Sequence, residues 1–268
     1  MSNDEIKQSL LRVEDTAIEF TVVMTGKEST RVNGLYKPET HEILLHNKNF
    51  KSDMQLIYTA IHEYTHHLMT EQFLAETGGK LPMKGSRVHT AAFWAKFHAL
   101  LQKAEELGIY KIDLDESPEL KELTEKIRTE YMEANGKLMQ EFGRLLAQAH
   151  ALCEKANIRY EDYIDRVLCL PRNTAKDITK LGAVEVNPKL GFDNMKKVAG
   201  LKKSEDRDSA TKAILSGKSP DTVTELMRKA SAGSDPRAKL EKERNRLTKT
   251  IEALKQRLQY VEESLENL

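Results

Sequence analysis

Cysteine is scarce in this chain of 268 residues: Cys153 and Cys169 are the only two, and they stand apart with no C-x-x-C pairing. That spacing excludes a disulfide framework and a cysteine-built zinc ribbon, and both thiols are expected to be reduced and buried. Long apolar runs are missing as well. No stretch approaches the ~20 residues needed to cross a bilayer, so no membrane partner is expected. The opening MSNDEIKQSLLRVEDT lacks the basic start, apolar middle and small-residue cleavage site of an export signal, which points to the cytoplasm. Net charge is missing too, with 42 Lys+Arg against 42 Asp+Glu.

That balance hides an uneven distribution. Residues 1–170 hold 21 basic and 27 acidic residues (net −6), residues 171–250 hold 19 and 11 (net +8), and the last 18 hold 2 and 4 (net −2). A basic middle-to-late segment on a neutral chain points to nucleic acid, because phosphate contacts supply most non-specific affinity. The length suits two folded units plus an appendage.

Three short segments, 17–25 (AIEFTVVMT), 31–36 (RVNGLY) and 41–46 (HEILLH), are rich in β-branched and aromatic residues, and Gly26, Pro38 and Thr40 separate them. They predict a small antiparallel sheet. From Met54 to about Phe73 apolar residues recur at helical spacing, until TGGKLP breaks the run. A second helix is expected from His89 to Leu107, ending at Gly108. Residues 117–156 read as one long helix or two. Shorter helices follow at 160–169, 172–181, 192–201, 205–216 and 220–230. The fold class is therefore α+β: a sheet and two helices in residues 1–116, an all-helical part in 117–231, and a coiled coil in 236–268. The coil rests on a heptad with Leu240, Leu247, Leu254, Val261 and Leu268 at d, and Arg237, Arg244, Ile251, Leu258 and Leu265 at a. It predicts a homodimer.

The first helix carries the chemistry. In QLIYTAIHEYTHHLMTEQF, His62, Glu63 and His66 form H-E-x-x-H. Histidines four apart lie about 40° apart around a helix, so both imidazoles can face one ion. Glu63 is poorly placed to join them but can take the proton of a metal-activated water. His67 lies on the Glu63 side and is not a ligand. A catalytic zinc needs a third protein ligand, for which His89, His98, Glu71 and Glu76 are candidates. Three neutral imidazoles would suit Zn2+.

Residues 17–107 resemble the SprT-like zinc metallopeptidase domain, in which a short sheet precedes the H-E-x-x-H helix and a third histidine opens the next one. The family's H-G-x-x-F-W pattern is matched by VHTAAFWAKF. This implies His89 as third ligand and Phe93 and Trp94 as packing residues, with Thr90 where glycine is usual. It also implies a zincin fold, peptide hydrolysis with Glu63 as base, and a protein substrate, by family habit one bound to DNA. The family's C-terminal zinc ribbon is missing.

The basic half carries a second resemblance. GRLLAQAHALCEKANIRYEDYIDRVLCLPRNTAKDITKLG, residues 143–182, resembles the helix-turn-helix regions of phage and plasmid proteins. The segment after it is similar to the helices that follow in ParB-like partition proteins. The resemblance implies a recognition helix in which Arg172, Asn173, Lys176 and Lys180 meet DNA. A plain helical bundle solvated by its lysines is the competing reading. No ParB-like nucleotide motif is present, so no nucleotide switch is expected. For the whole chain, a metallopeptidase joined to a DNA-binding module competes with two alternatives. One is a transcription or partition regulator of a mobile element with a structural zinc site. The other is a regulatory protease that cleaves a repressor.

Overall fold

The computed structural model describes residues 1–81 and 88–231 and, beyond them, scattered positions between 241 and 262. It opens with a helix that strand and motif patterns alone pass over, α1 (Asn3–Val13). The Ser2 hydroxyl accepts the Glu5 N–H at 3.2 Å while the Glu5 carboxylate accepts the Ser2 N–H at 2.6 Å. This reciprocal cap satisfies two otherwise orphaned donors. Ile6, Leu10 and Val13 then bury one face.

The strands β1 (Thr21–Met24), β2 (Gly34–Lys37) and β3 (Glu42–Leu45) form one sheet in the order β1-β3-β2. Only half of it is antiparallel, which corrects the expected all-antiparallel sheet: β2 runs against β3, and β1 runs parallel to it. Apolar alternation identifies strands but not their neighbours or directions. The tight turn through His41, which holds φ 50, folds β3 back on β2. The connection 25–33 crosses the end of β3, where Met24 and Gly34 both face Leu45. Two asparagines hold that connection: Gly26 N–H donates to Asn47 Oδ1 at 2.8 Å and Ser29 N–H to Asn49 Oδ1 at 2.9 Å.

The motif helix α2 (Asp53–Thr77) starts at Ser52, whose hydroxyl accepts the Gln55 N–H, and stops at Gly78, whose φ of 66 continues no helix. The second helix, α3 (Ala91–Glu106), starts two residues later than expected. Thr90 takes extended backbone and caps it through the Phe93 N–H at 3.2 Å. His89 therefore sits outside the helix. Residues from α1, the sheet, α2 and α3 share one core, with Ile6, Ile43, Ile61, Tyr64, Phe93 and Phe97 within it.

Beyond it, α4 (Pro118–Lys126), a wider π-turn segment at Ile127–Glu133 and α5 (Ala134–Lys155) run on as one helical stretch. A short α6 (Tyr160–Asp162) with a π turn at Tyr163–Val167, then α7 (Arg172–Ala183), α8 (Phe192–Ala199), α9 (Ser204–Leu215) and α10 (Pro220–Ser231) complete the helical part. It holds two further cores, one around Leu146, Ile164 and Ile178 and one around Leu181, Met195 and Val223. The Thr222 hydroxyl of α10 donates to the Ala95 carbonyl of α3 at 3.0 Å, joining this part to the first. Cys153 is buried as expected. Cys169 is not: it is exposed, lifted out by a left-handed backbone (φ 52) where the π turn ends.

Two compact units emerge, Met1–Met227 and Arg228–Leu268. In the second, the described positions from 241 to 262 are helical, and the heptad residues Leu247, Ile251, Leu254, Leu258 and Val261 are exposed. The heptad positions Arg237, Leu240, Leu265 and Leu268 lie outside the described residues. No described helix is long and apolar enough to cross a membrane.

Candidate metal centre

Helix α2 is buried on several sides and sorts its polar side chains by direction. His62 and His66 point to α3, whereas Glu63, His67 and Glu71, spaced four apart, form a row turned toward β2 and the segment before β1. The capped start of α3 turns His89 back over α2. Its Nε2 lies 3.1 Å from the Nε2 of both His62 and His66. The ligand atoms of the three all lie within 4.8 Å of one another, and the group could hold a metal ion. Four-coordinate zinc with Zn–N bonds of about 2.0–2.1 Å sets its nitrogens roughly 3.3–3.4 Å apart, so little movement is required. Phe93 packs on His66 with ring centroids 4.4 Å apart, and Trp94 stacks on His89 at 5.6 Å.

Burial keeps the imidazoles of α2 neutral and their nitrogen lone pairs free of protons. Burial, reinforced by His89, pushes the His62 pKa down to about 4; burial, with His62 and His89 alongside, takes His66 down to about 3. Three nitrogen lone pairs converge where protonation is penalised, which is the donor set of a borderline-soft divalent ion.

Of the other candidates for third ligand, none reaches this point. Glu71 accepts the Thr16 hydroxyl at 2.5 Å and the Ala17 N–H at 2.8 Å on the far side of α2. Glu76 accepts from Gln72, and His98 lies between Asp221 and Lys197 with its pKa lowered chiefly by burial. His67 is fully buried between Thr16 and Tyr36.

Glu63 stands apart from the three imidazoles. Its side chain is 7% exposed, and burial pushes its pKa up to about 7 against the opposing pull of the Tyr36 backbone N–H. Room for it comes from Gly34. A Cβ there would lie 2.9 Å from Glu63 Cγ, Glu63 Oε1 and Thr59 Cγ2. A glycine inside a strand pattern signals such a close approach, and RVNGLY carried that signal. The histidines and Glu63 line a cleft of about 590 Å³ between α2 and β2, with Leu35, Val88 and Tyr58 on its walls.

The four residues expected at DNA are all exposed on α7, opposite the buried Ala175, Ile178 and Leu181. Lys176, Lys180 and Asn173 stand at that surface. Arg172 is held: its guanidinium grips the Asp165 carboxylate through two nitrogens, Nε at 2.8 Å from Oδ2. Comparison of the chain with family models, curated proteins and solved structures finds no match.

Proposed function

We propose that the chain is a zinc-dependent peptidase of the zincin type, in which His62, His66 and His89 hold the metal and Glu63 is the general base. The observation that carries this reading is the position of the three imidazoles, grouped on the wall of an open cleft beside a buried carboxyl. A structural zinc site closes four protein ligands around the ion, whereas a catalytic one keeps a position open. Among the described residues no fourth His, Cys, Asp or Glu joins the group.

Zinc supplies Lewis acidity there, polarising a carbonyl and acidifying water. Glu63, a carboxyl whose proton affinity burial raises, would take a proton from the attacking water and return it to the departing amine. The edge strand β2 offers a place for the substrate. Asn33 C=O accepts the His46 N–H at 2.9 Å, so the alternation of an antiparallel ladder turns the backbone groups of Gly34 and Tyr36 away from β3 and toward the cleft. An extended polypeptide can pair there. The helical part, residues 117–231, is proposed to bind DNA through Asn173, Lys176 and Lys180, which would direct hydrolysis to DNA-bound proteins. Residues 236–268 are proposed to dimerise the chain.

The test separates ligand from base. His62→Ala, His66→Ala and His89→Ala should each lower bound zinc well below one per chain and abolish peptide hydrolysis. Glu63→Gln should keep zinc near one per chain while hydrolysis falls by about 10²–10⁴-fold, the usual share of a general base. Full activity in Glu63→Gln would refute the peptidase reading.

A further inference from the structure

The cleft beside the three histidines does not end at them. Tyr58 lies one turn before His62 on α2, in line with His62 and His66. Phe97 of α3 supports both neighbouring rings, its centroid 5.2 Å from that of Tyr58 and 5.2 Å from that of His62. On its other side Tyr58 packs on Tyr110 at 6.1 Å. Asn33, Tyr58 and Thr59 line this cleft and also a second one of about 440 Å³, so the two meet over Tyr58. Phe50, Met54, Tyr110 and Ile112 form the apolar wall of the second cleft.

The polar groups around the second cleft are engaged with the protein itself. Asn33 Oδ1 accepts Asn49 Nδ2 at 2.8 Å, and Gln55 Oε1 accepts the Lys51 N–H at 2.8 Å. The Thr59 hydroxyl donates to the Gln55 carbonyl at 3.2 Å, and Lys111 Nζ pairs with Asp113 at 2.6 Å. What remains to meet a ligand is hydrocarbon. The distribution of exposed apolar side chains says the same. Nine large ones are exposed between residues 1 and 112, and six of them, Val32, Leu35, Tyr58, Leu81, Val88 and Ile112, line the two clefts. Such side chains scattered singly need no explanation, but a gathering of them in one groove marks a surface that something apolar covers. Ile112, 68% exposed, stands furthest out.

The groove also has the right relation to the edge strand. Gly34 of β2 lies against Glu63, and Asn33, the residue before it, borders the second cleft. An extended polypeptide paired along β2 advances about 3.3 Å per residue, so one that passes Glu63 reaches the second cleft within about two or three residues.

We infer that the second cleft is a subsite of the same groove, taking one apolar side chain, aliphatic or aromatic, of an extended polypeptide, with Tyr58 and Ile112 setting that preference. Segments rich in such residues are the ones folded proteins keep inside, so the groove selects unfolded stretches of chain. The inference rests on the peptidase reading for the bond that is cut, but not for the binding.

Binding is measured on the full chain as its zinc-loaded Glu63→Gln variant, with fluorescent peptides of about ten residues in which one position of a polar background is varied. At the position that enters the second cleft, Leu or Phe should bind about tenfold or more tighter than Asp, the effect of burying one such side chain. Ile112→Lys should erase that preference and favour Asp instead, whereas Leu107→Lys, at an exposed apolar residue outside both clefts, should leave it as it was. In hydrolysis of an unfolded protein by the unaltered zinc-loaded chain, the cut sites mapped by mass spectrometry should carry an apolar residue at one fixed distance from the cut, and Ile112→Lys should remove the selection at that distance alone. Equal binding of the Leu and Asp peptides, or a preference that survives Ile112→Lys, would overturn the inference. Failure of the peptidase reading has a different signature: apolar-selective binding that responds to Ile112→Lys, with no hydrolysis by the unaltered chain, would retire the peptidase and leave the subsite standing.

Discussion

At the scale of single residues, the decisive feature is how burial divides the titratable groups of α2. His62, His66 and His67 have pKa values pushed by burial from an ordinary 6.5 to about 4, 3 and 4, while Glu63 rises from 4.5 to about 7. The unfolded chain therefore binds protons at the histidines that the folded chain refuses. Their contribution to stability is present above about pH 6.5 and is lost as pH falls through 4. Glu63 works in the opposite sense: its contribution is present below pH 4.5 and is lost as pH rises through 7. Three groups outweigh one where the windows overlap. The urea midpoint of the metal-free protein is expected to rise from pH 4 to pH 6.5, and Glu63→Gln, which removes the opposing group, should steepen that rise. A flat or falling profile would contradict the burial of these histidines. Thr90 shows a second residue-scale effect. Where the resemblance leads one to expect glycine, this threonine supplies the cap that stops α3 short of His89 and leaves the imidazole able to turn toward α2.

Among the elements, α5 and α7 approach each other closely at two glycines. A Cβ on Gly143 would lie 2.2 Å from the Ile178 carbonyl oxygen and 2.6 Å from Gly182 N, and one on Gly182 would lie 2.4 Å from backbone atoms of Gly143 and Arg144. The two helices meet backbone to backbone. Gly143→Ala gains about 0.5–1 kcal/mol of helix propensity. Forcing these helices apart costs about 1–3 kcal/mol or more. Net destabilisation should appear as a lower urea midpoint at unchanged zinc content, and an unchanged midpoint would show that the helices are not seated this way. The helices themselves were readable, because apolar residues at 3.6-residue spacing mark α7, α8, α9 and α10 to within a few positions and place α5 within the helical stretch 117–156. The Gly143 and Gly182 contact was not, since neither glycine differs in sequence from one at a turn. The α1 helix had its signal in Ser2 and Glu5, a capping pair followed by Ile6, Leu10 and Val13.

For the whole molecule, two proposals concern surfaces that the folded core leaves outside. Exposed heptad residues such as Leu247, Leu254 and Leu258 have no reason to face water in an isolated helix. Light scattering of the full chain at tens of micromolar should therefore give the mass of a dimer, and Leu247→Lys with Leu254→Lys should halve it. A monomer in the unaltered chain would remove the coil. On α7, duplex DNA binding should weaken with salt at a slope of about −3 or steeper in log K against log salt, each neutralised phosphate contributing about −0.9. Lys176→Ala with Lys180→Ala should flatten the slope by about 2. Arg172→Ala should flatten it less, because Asp165 already holds that guanidinium. Salt-insensitive binding, or none at low salt, would favour a plain helical bundle.

By itself the sequence determined the α+β class, the position of nearly every helix and the pairing of His62 with His66, because these depend on periodicities of 3.6 and 2 residues that adjacent side chains write directly. It also carried Glu63 as the group beside the two histidines, since one residue's offset on a helix is about 100°. Tertiary structure decided what depends on elements distant in the chain. Four residues were candidates to join the two histidines, and the capped start of α3 is what sets His89 within 3.1 Å of both. The parallel pairing of β1 with β3, the space Gly34 leaves for Glu63, and the contact from Thr16 through His67 to Tyr36 are likewise products of long-range packing. Local pattern says which face a residue takes; only closure of the chain on itself says what meets that face.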